Sequence, residues 1–139
     1  MSSEIVLPAA LTSLTPLAEW LAQKLAPLPV TDEWRFSLDL AACETATNII
    51  RHALHEDAGR RFVVAFSATG RGVTLCFTDE GDPFPAARLK AARTECFTDT
   101  DPLMENGRGL KLILMYADVF KVENGAGKNV TTLEKWFST

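Results

Sequence analysis

Glu44, Asn48 and His52 stand four residues apart in the run "CETATNIIRHAL". On a helix this spacing sets a carboxylate, an amide and an imidazole along one slowly drifting line. The apolar face of that helix centres near Ile49. Glu44 falls far from this centre, Asn48 beside it and His52 near its edge, so the three mark a border between core and solvent. A carboxylate on such a border can orient or deprotonate a nucleophile. An amide oxygen there can ligate Mg²⁺, a hard cation that prefers oxygen and keeps several of its waters. An ordinary polar helix edge, with His52 partly buried and hydrogen-bonded, would carry the same stripe.

Two further runs offer chemistry. In "FTDEGDPF", Asp79 ends a β-rich run and Gly81 follows at once. A carboxylate at a strand end can accept from an exocyclic amine, and a nearby glycine leaves room for a flat ring to approach the backbone. A plain turn would use the same residues. In "ENGRGLKLI", Gly107 and Gly109 come just before a helical pattern. Backbone N–H groups at a helix start can cradle phosphate with help from the helix dipole, and Arg108 would add charge. A hinge into the helix is the other reading. A dinucleotide fingerprint is excluded, because position 112 is leucine where a third glycine would be needed. "GAGKNV" lacks the spacing and hydroxyl of a phosphate-binding P-loop. Together the three runs are the parts of a nucleotide site built without a P-loop.

The elements that must position these residues follow from periodicity. "SEIVLPA" reads as a short edge strand ended by Pro8. Leu14, Leu17, Ala18, Leu21 and Leu25 recur at helical spacing, with Pro16 in the first turn and Pro27 and Pro29 after the last. Thr31 caps a second helix that runs to about His55, with Asp32 and Glu33 favourable against its dipole. Its core stripe is Leu38, Ala41, Ala42, Thr45, Ile49 and Ala53. "RFVVAFSAT" and "GVTLCFTD" read as a hairpin. A long segment at about 84–107 has the length of a functional lid. It carries Arg88, Lys90 and Arg93, either a solvated face or groups that reach phosphates on closure. A third helix holds Leu110, Ile113, Leu114 and Ala117 in the core. Two strands close the chain around "GAG". The order β-α-α-β-β-lid-α-β-β predicts an α+β two-layer sandwich: a mostly antiparallel mixed sheet covered on one face by helices.

The 139 residues form one domain over 1–139, 47% hydrophobic and 23% charged, with a net charge of −4. That charge argues against bulk binding to nucleic acid or anionic membrane. No apolar run reaches the ~18 residues of a membrane span. "MSSEIVLPAA" lacks a signal peptide's charged and apolar regions. Three scattered cysteines give no zinc spacing or disulfide framework. A cytoplasmic location is expected. Trp20, Trp34 and Trp136 are expected to pack within the fold rather than stack on a ligand.

Order and spacing resemble the GHKL, or Bergerat-fold, ATPases, whose fold is histidine-kinase-like, and within them the bacterial anti-sigma-factor serine/threonine kinases. Glu44-Thr45-Ala46-Thr47-Asn48-Ile49-Ile50-Arg51-His52-Ala53 resembles their N-box. Asp79-Glu80-Gly81-Asp82-Pro83-Phe84 resembles the G1 box, and Gly107-Arg108-Gly109-Leu110 the G2 box. Thr132-Leu133-Glu134-Lys135 resembles the closing strand. The likeness spans Glu4 to Trp136. It implies ATP and Mg²⁺ as cofactors, with Asn48 on the metal and Glu44 as general base toward a serine or threonine hydroxyl. Asp79 would accept from the adenine amine, with Gly81 making space beside Pro83 and Phe84. Gly107, Arg108 and Gly109, leading into Leu110, would contact phosphates, and His52 would border the site. Many members carry Gly-Thr after the last hairpin turn, a threonine that orders water at the adenine. Here Gly127 is followed by Lys128 and Asn129, and Thr132 is the nearest candidate for that role.

The resemblance further implies a regulatory kinase that sequesters a sigma factor or similar regulator. Its phosphoacceptor would be an antagonist protein, and its usual state a homodimer. The alternative is a nucleotide-gated protein-binding module without significant kinase activity.

Overall fold

A computed structural model describes residues 2–84 and 104–137. Strand β1 spans Ser2–Pro8. A 3-10 turn at Leu11–Ser13 leads into helix α1, Leu14–Leu25. Helix α2 covers Asp32–Asn48 and continues into a single π turn, Ile49–Ala53. Strands β2 (Arg61–Ala68) and β3 (Gly72–Asp79) form a hairpin. Helix α3 spans Met104–Tyr116, and strands β4 (Val119–Gly125) and β5 (Lys128–Trp136) complete the chain. This is the expected order of elements.

The sheet runs β1-β2-β3-β5-β4. Every pairing is antiparallel, which goes further than the mostly antiparallel mixed sheet the sequence predicts. Residues alternate faces along each strand. Phe62, Val64 and Phe66 on β2, Val73, Leu75 and Phe77 on β3, and Leu133 on β5 are all buried. Against them pack Leu17, Leu21 and Leu25 of α1, Leu38, Ala41 and Ala42 of α2, and Leu110 and Ile113 of α3. Among the described residues, three helices on one face of one sheet make the two-layer sandwich.

Local chemistry sets the element ends. The Thr31 hydroxyl accepts from the Trp34 N–H at 3.1 Å, with Asp32 and Glu33 in the first turn. One orphan donor of the helix start is thereby satisfied. Trp20 and Trp34 pack within the fold as expected, whereas Trp136 is 38% exposed, with the Arg71 guanidinium over its ring. Trp20 meets Phe66 edge-on at 6.3 Å, and Trp34 donates from its indole to the Trp136 carbonyl at 2.9 Å.

The turn between β4 and β5 is tight. Gly125 pairs with Lys128, leaving Ala126 and Gly127 as the two central residues at φ 54° and 76°. Both angles are left-handed, as a type I′ hairpin turn requires. Glycine adopts this freely, but alanine does so against its Cβ, at about 1–2 kcal/mol. Asparagine tolerates that region better. Ala126→Asn is therefore expected to raise the stability by about 0.5–1 kcal/mol. Urea unfolding should show a higher midpoint at unchanged slope; a lowered midpoint would contradict the turn assignment.

Candidate functional site

The site forms where α2 ends and β3 exits. The last turn of α2 widens to a π turn, with the Leu54 N–H bonded to the Ile49 carbonyl at 2.9 Å. Ile49 and Ile50 are both buried, as is Leu54. Such a turn is a common device at functional sites. It puts more of the run in the core than a regular helix to His55 would: Ile50 and Leu54 join the expected stripe. The chain then leaves the helix through His55 and Glu56, both at left-handed φ (55° and 54°).

The Ala53 carbonyl at this helix end accepts the Asp82 N–H at 3.0 Å. Gly81 lies so close beneath it that a Cβ there would stand 2.2 Å from the Ala53 oxygen. Only glycine permits that approach. The exposed His55 ring and the Asp82 carboxylate meet at 2.6 Å, a second tie between the same two elements.

A cavity of about 320 Å³ opens beside this junction, a size at the lower end of small-molecule sites. Asn48 and His52 line it from the helix, and Asp79, Asp82, Pro83 and Phe84 from the β3 exit. Its apolar side is Ile49, Phe120 and Val122, and Asn129 and Thr131 of β5 complete it. Asp79 is only 3% exposed. Its Oδ1 accepts from the Gly81 N–H at 2.8 Å and from the Asn129 amide at 2.9 Å. A buried carboxylate needs such partners. The cavity thus combines apolar lining residues with a buried, anchored acceptor.

Glu44 stands apart from the lining, half-buried, at the seam with α3. A Cβ on Gly109 would fall 2.6 Å from Glu44 Oε2 and 3.9 Å from Asn48 Oδ1. The helix stripe and the second glycine of "GRG" therefore meet in space. Among the described residues no group of three His, Cys, Asp or Glu could hold a metal ion by itself. A single amide oxygen such as that of Asn48 suits Mg²⁺, which takes phosphate oxygens and waters for its other positions. Cys43 precedes Glu44 on the same helix. Burial, then the Asp39 charge and a 3.9 Å contact to the Asp39 carboxylate, then the Glu44 charge push its thiol up to about 12.

Three expectations need correction. Gly107 and Gly109 do not precede the helix: α3 begins at Met104, so both lie within its first two turns. Glycine costs a helix only ~1 kcal/mol, and the burial of Leu110 and Ile113 offsets that. Leu110 is 2% exposed in the core and is packing, not lining. Thr132 is on the wrong face of β5. Its hydroxyl lies 3.7 Å from the Cys76 sulfur, while Thr131 lines the cavity. The side chain of Arg108 and most of the expected lid, with Arg88, Lys90 and Arg93, lie outside the described residues. Asn129, Thr131 and Asp82 escaped the sequence reading. Counting back from Leu133 in steps of two along β5 finds the first two.

The chain matches a family profile described as the histidine kinase-like ATPase domain over residues 7–135. Among solved structures it is similar to the RsbU and RsbW domains of Rv1364c from Mycobacterium tuberculosis. The TM-score is 0.69 at 18% identity, covering 100% of this chain and 33% of that one. It thus spans a third of that relative's length. It is also similar to the structure of the SiaB–SiaC complex from Pseudomonas aeruginosa, with a TM-score of 0.64 at 12% identity, covering 97% and 89%. Comparison with curated protein sequences finds no significant match.

The two glycines make opposite demands. At Gly81 an added methyl meets backbone, so Gly81→Ala is expected to lose about 1–3 kcal/mol. At Gly109 it meets the tip of a flexible glutamate, so Gly109→Ala is expected to keep or gain up to about 1 kcal/mol of helix stability while displacing the Glu44 carboxylate. Thermal unfolding of both variants tests this: a lower midpoint for Gly81→Ala only is expected, and equal losses would refute it.

Proposed function

We propose, from the premise that this chain belongs to the histidine kinase-like ATPase domain family, that it is a Mg²⁺-ATP-dependent regulatory kinase of the partner-switching kind. The observation that carries the reading is convergence. Asn48, Asp79 and Pro83 line one cavity, Gly81 packs against Ala53 between two of its lining residues in sequence, and Glu44 lies one helical turn before Asn48, against Gly109. The residues fit the groups the family implies. The cavity accommodates a flat heterocycle, Asp79 offers it an acceptor, and Asn48 offers an oxygen to a hard cation.

Phosphoryl transfer demands placement and charge neutralisation more than covalent chemistry from the protein. In the proposed reaction the oxygen of a serine or threonine hydroxyl bonds to the γ-phosphorus. Its proton passes to the Glu44 carboxylate, and ADP leaves with the electrons of the broken P–O bond. The half-buried setting of Glu44 at a helix seam suits a base held in one orientation.

The phosphoacceptor would be an antagonist protein, and the regulated partner a sigma factor or similar regulator. Two neighbours favour a protein-binding role: one structure contains an RsbW domain, and the other is a complex of two proteins, SiaB and SiaC. A homodimer is part of the same proposal. Among the described residues no helix is long and apolar enough to cross a membrane. A second reading, a nucleotide-gated binding module with no useful transfer, is favoured by one fact: Glu44 lies outside the lining of the cavity.

Thermal unfolding with Mg²⁺-ATP separates these readings from a protein without a nucleotide site. Ligand at a hundred times its Kd stabilises by about 2.7 kcal/mol, a rise on the order of 10 °C here. Wild type is expected to shift and Asn48→Ala to shift far less. Glu44→Gln is expected to keep the shift and lose at least about 100-fold in transfer of labelled γ-phosphate to a co-purified partner. A nucleotide shift with no labelling by wild type would favour the binding module, and no shift at millimolar ATP would remove both readings.

A further inference from the structure

Asn129 and Asp79 are direct cross-strand partners on β5 and β3. Both line the cavity, and both are buried, at 5% and 3% exposure. A buried amide–carboxylate pair survives only if its polar atoms are satisfied. The Asn129 Nδ2 lies 2.9 Å from Asp79 Oδ1, 2.9 Å from the Asp82 carbonyl and 3.2 Å from the Gly81 carbonyl. Two carbonyls and a carboxylate oxygen all call for a donor, so the amide can only be oriented with its nitrogen toward them. Its two hydrogens are thereby committed to the protein and unavailable to a ligand.

The effect on Asp79 is specific. The Gly81 N–H and the Asn129 amide both end on Oδ1. Two donors on one oxygen hold the carboxylate against rotation and leave Oδ2 as the oxygen they do not engage. The same amide ties down the Gly81–Asp82 loop, which continues into Pro83 and Phe84 of the lining. One side chain therefore fixes both the acceptor and the wall beside it.

Resting on the nucleotide reading above, we infer that Asn129 is a positioning residue that sets base specificity. It holds Asp79 so that the cavity takes a purine with an exocyclic amine on its six-membered ring and rejects one with a carbonyl at that position. A fixed carboxylate oxygen accepts from the amine and repels the carbonyl oxygen. A carboxylate free to turn would discriminate less, because it could rotate away from the mismatched base.

ATP and ITP differ at position 6, amine against carbonyl, and at N1, which carries a hydrogen only in ITP, so the change in the ratio of their dissociation constants from wild type to variant, measured by calorimetry on the full chain with Mg²⁺, reads the effect. Wild type is expected to bind ATP about 10–100-fold more tightly than ITP, the worth of one hydrogen bond to a charged group. Asn129→Ala is expected to weaken ATP, leave ITP nearly unchanged, and bring the ratio within about threefold of unity. Should that variant fail to fold, Asn129→Thr keeps a strand-forming residue and one donor, and is expected to give an intermediate ratio. A merely structural role would weaken both nucleotides alike and leave the ratio standing, which overturns the inference. So does a wild type without preference. A wild type that binds neither nucleotide brings down the kinase reading as well, whereas ATP binding with an unmoved ratio brings down this inference alone.

Discussion

The Asp82 N–H bond to the Ala53 carbonyl joins the two halves of the site. One half is a helix, the other a loop leaving the central strand of the sheet. Neither alone encloses anything. The bond forms because α2 stops being a regular helix at Ile49 and turns its last carbonyl outward, and because residue 81 has no side chain to hold the loop away. The register of the sheet and the phase of the helix are both set by the core, so the cavity inherits its dimensions from packing that has no part in chemistry.

Burial and function are consequently hard to separate here. Ile49 and Phe120 are core residues by exposure and cavity wall by position. Asp79 and Asn129 sit as deep as the leucines around them. Their polar atoms are tolerable there because they satisfy each other and the loop backbone. Such a network is costly when half-made and stiff when complete. A site that must hold an acceptor in one orientation gains from that stiffness, and the mating of β3 to β5 supplies it without a dedicated scaffold.

The architecture was legible because its signals were redundant. Leucines at helical spacing, a cap at Thr31, and alternating strands separated by glycine turns all agreed with one another. Asn48, His52, Asp79, Pro83 and Phe84 could be gathered because they lie in runs whose types suit one site. Three things resisted. The phase of β5 is ambiguous, since Val130 on one face competes with Leu133 on the other, and Thr132 lies on the face of Val130, away from the cavity. The π turn has no local sequence signature in "NIIRHAL", so the burial of Ile50 and Leu54 was not foreseen. The start of α3 was hidden by glycines, which mark a boundary by propensity but yield to packing when Leu110 and Ile113 are anchored in the core.

Asn129 shows why a site can be gathered and still be incompletely read. Its importance is not a matter of type, since asparagine after a hairpin turn is ordinary. It comes from register: the residue directly across from Asp79 on the adjoining strand is the one position from which a short amide reaches both the carboxylate and the carbonyls of the loop that follows it. Register depends on where the β4–β5 turn closes, and that depends on two residues accepting left-handed φ at Ala126 and Gly127. A change of one residue in that turn would flip the face of every β5 side chain. It would carry Asn129 and Thr131 out of the cavity and put Lys128, Val130 and Thr132 in their place. The placement of Asp79 is thus coupled, through Lys128 and Asn129 at the start of β5, to a turn outside the cavity lining.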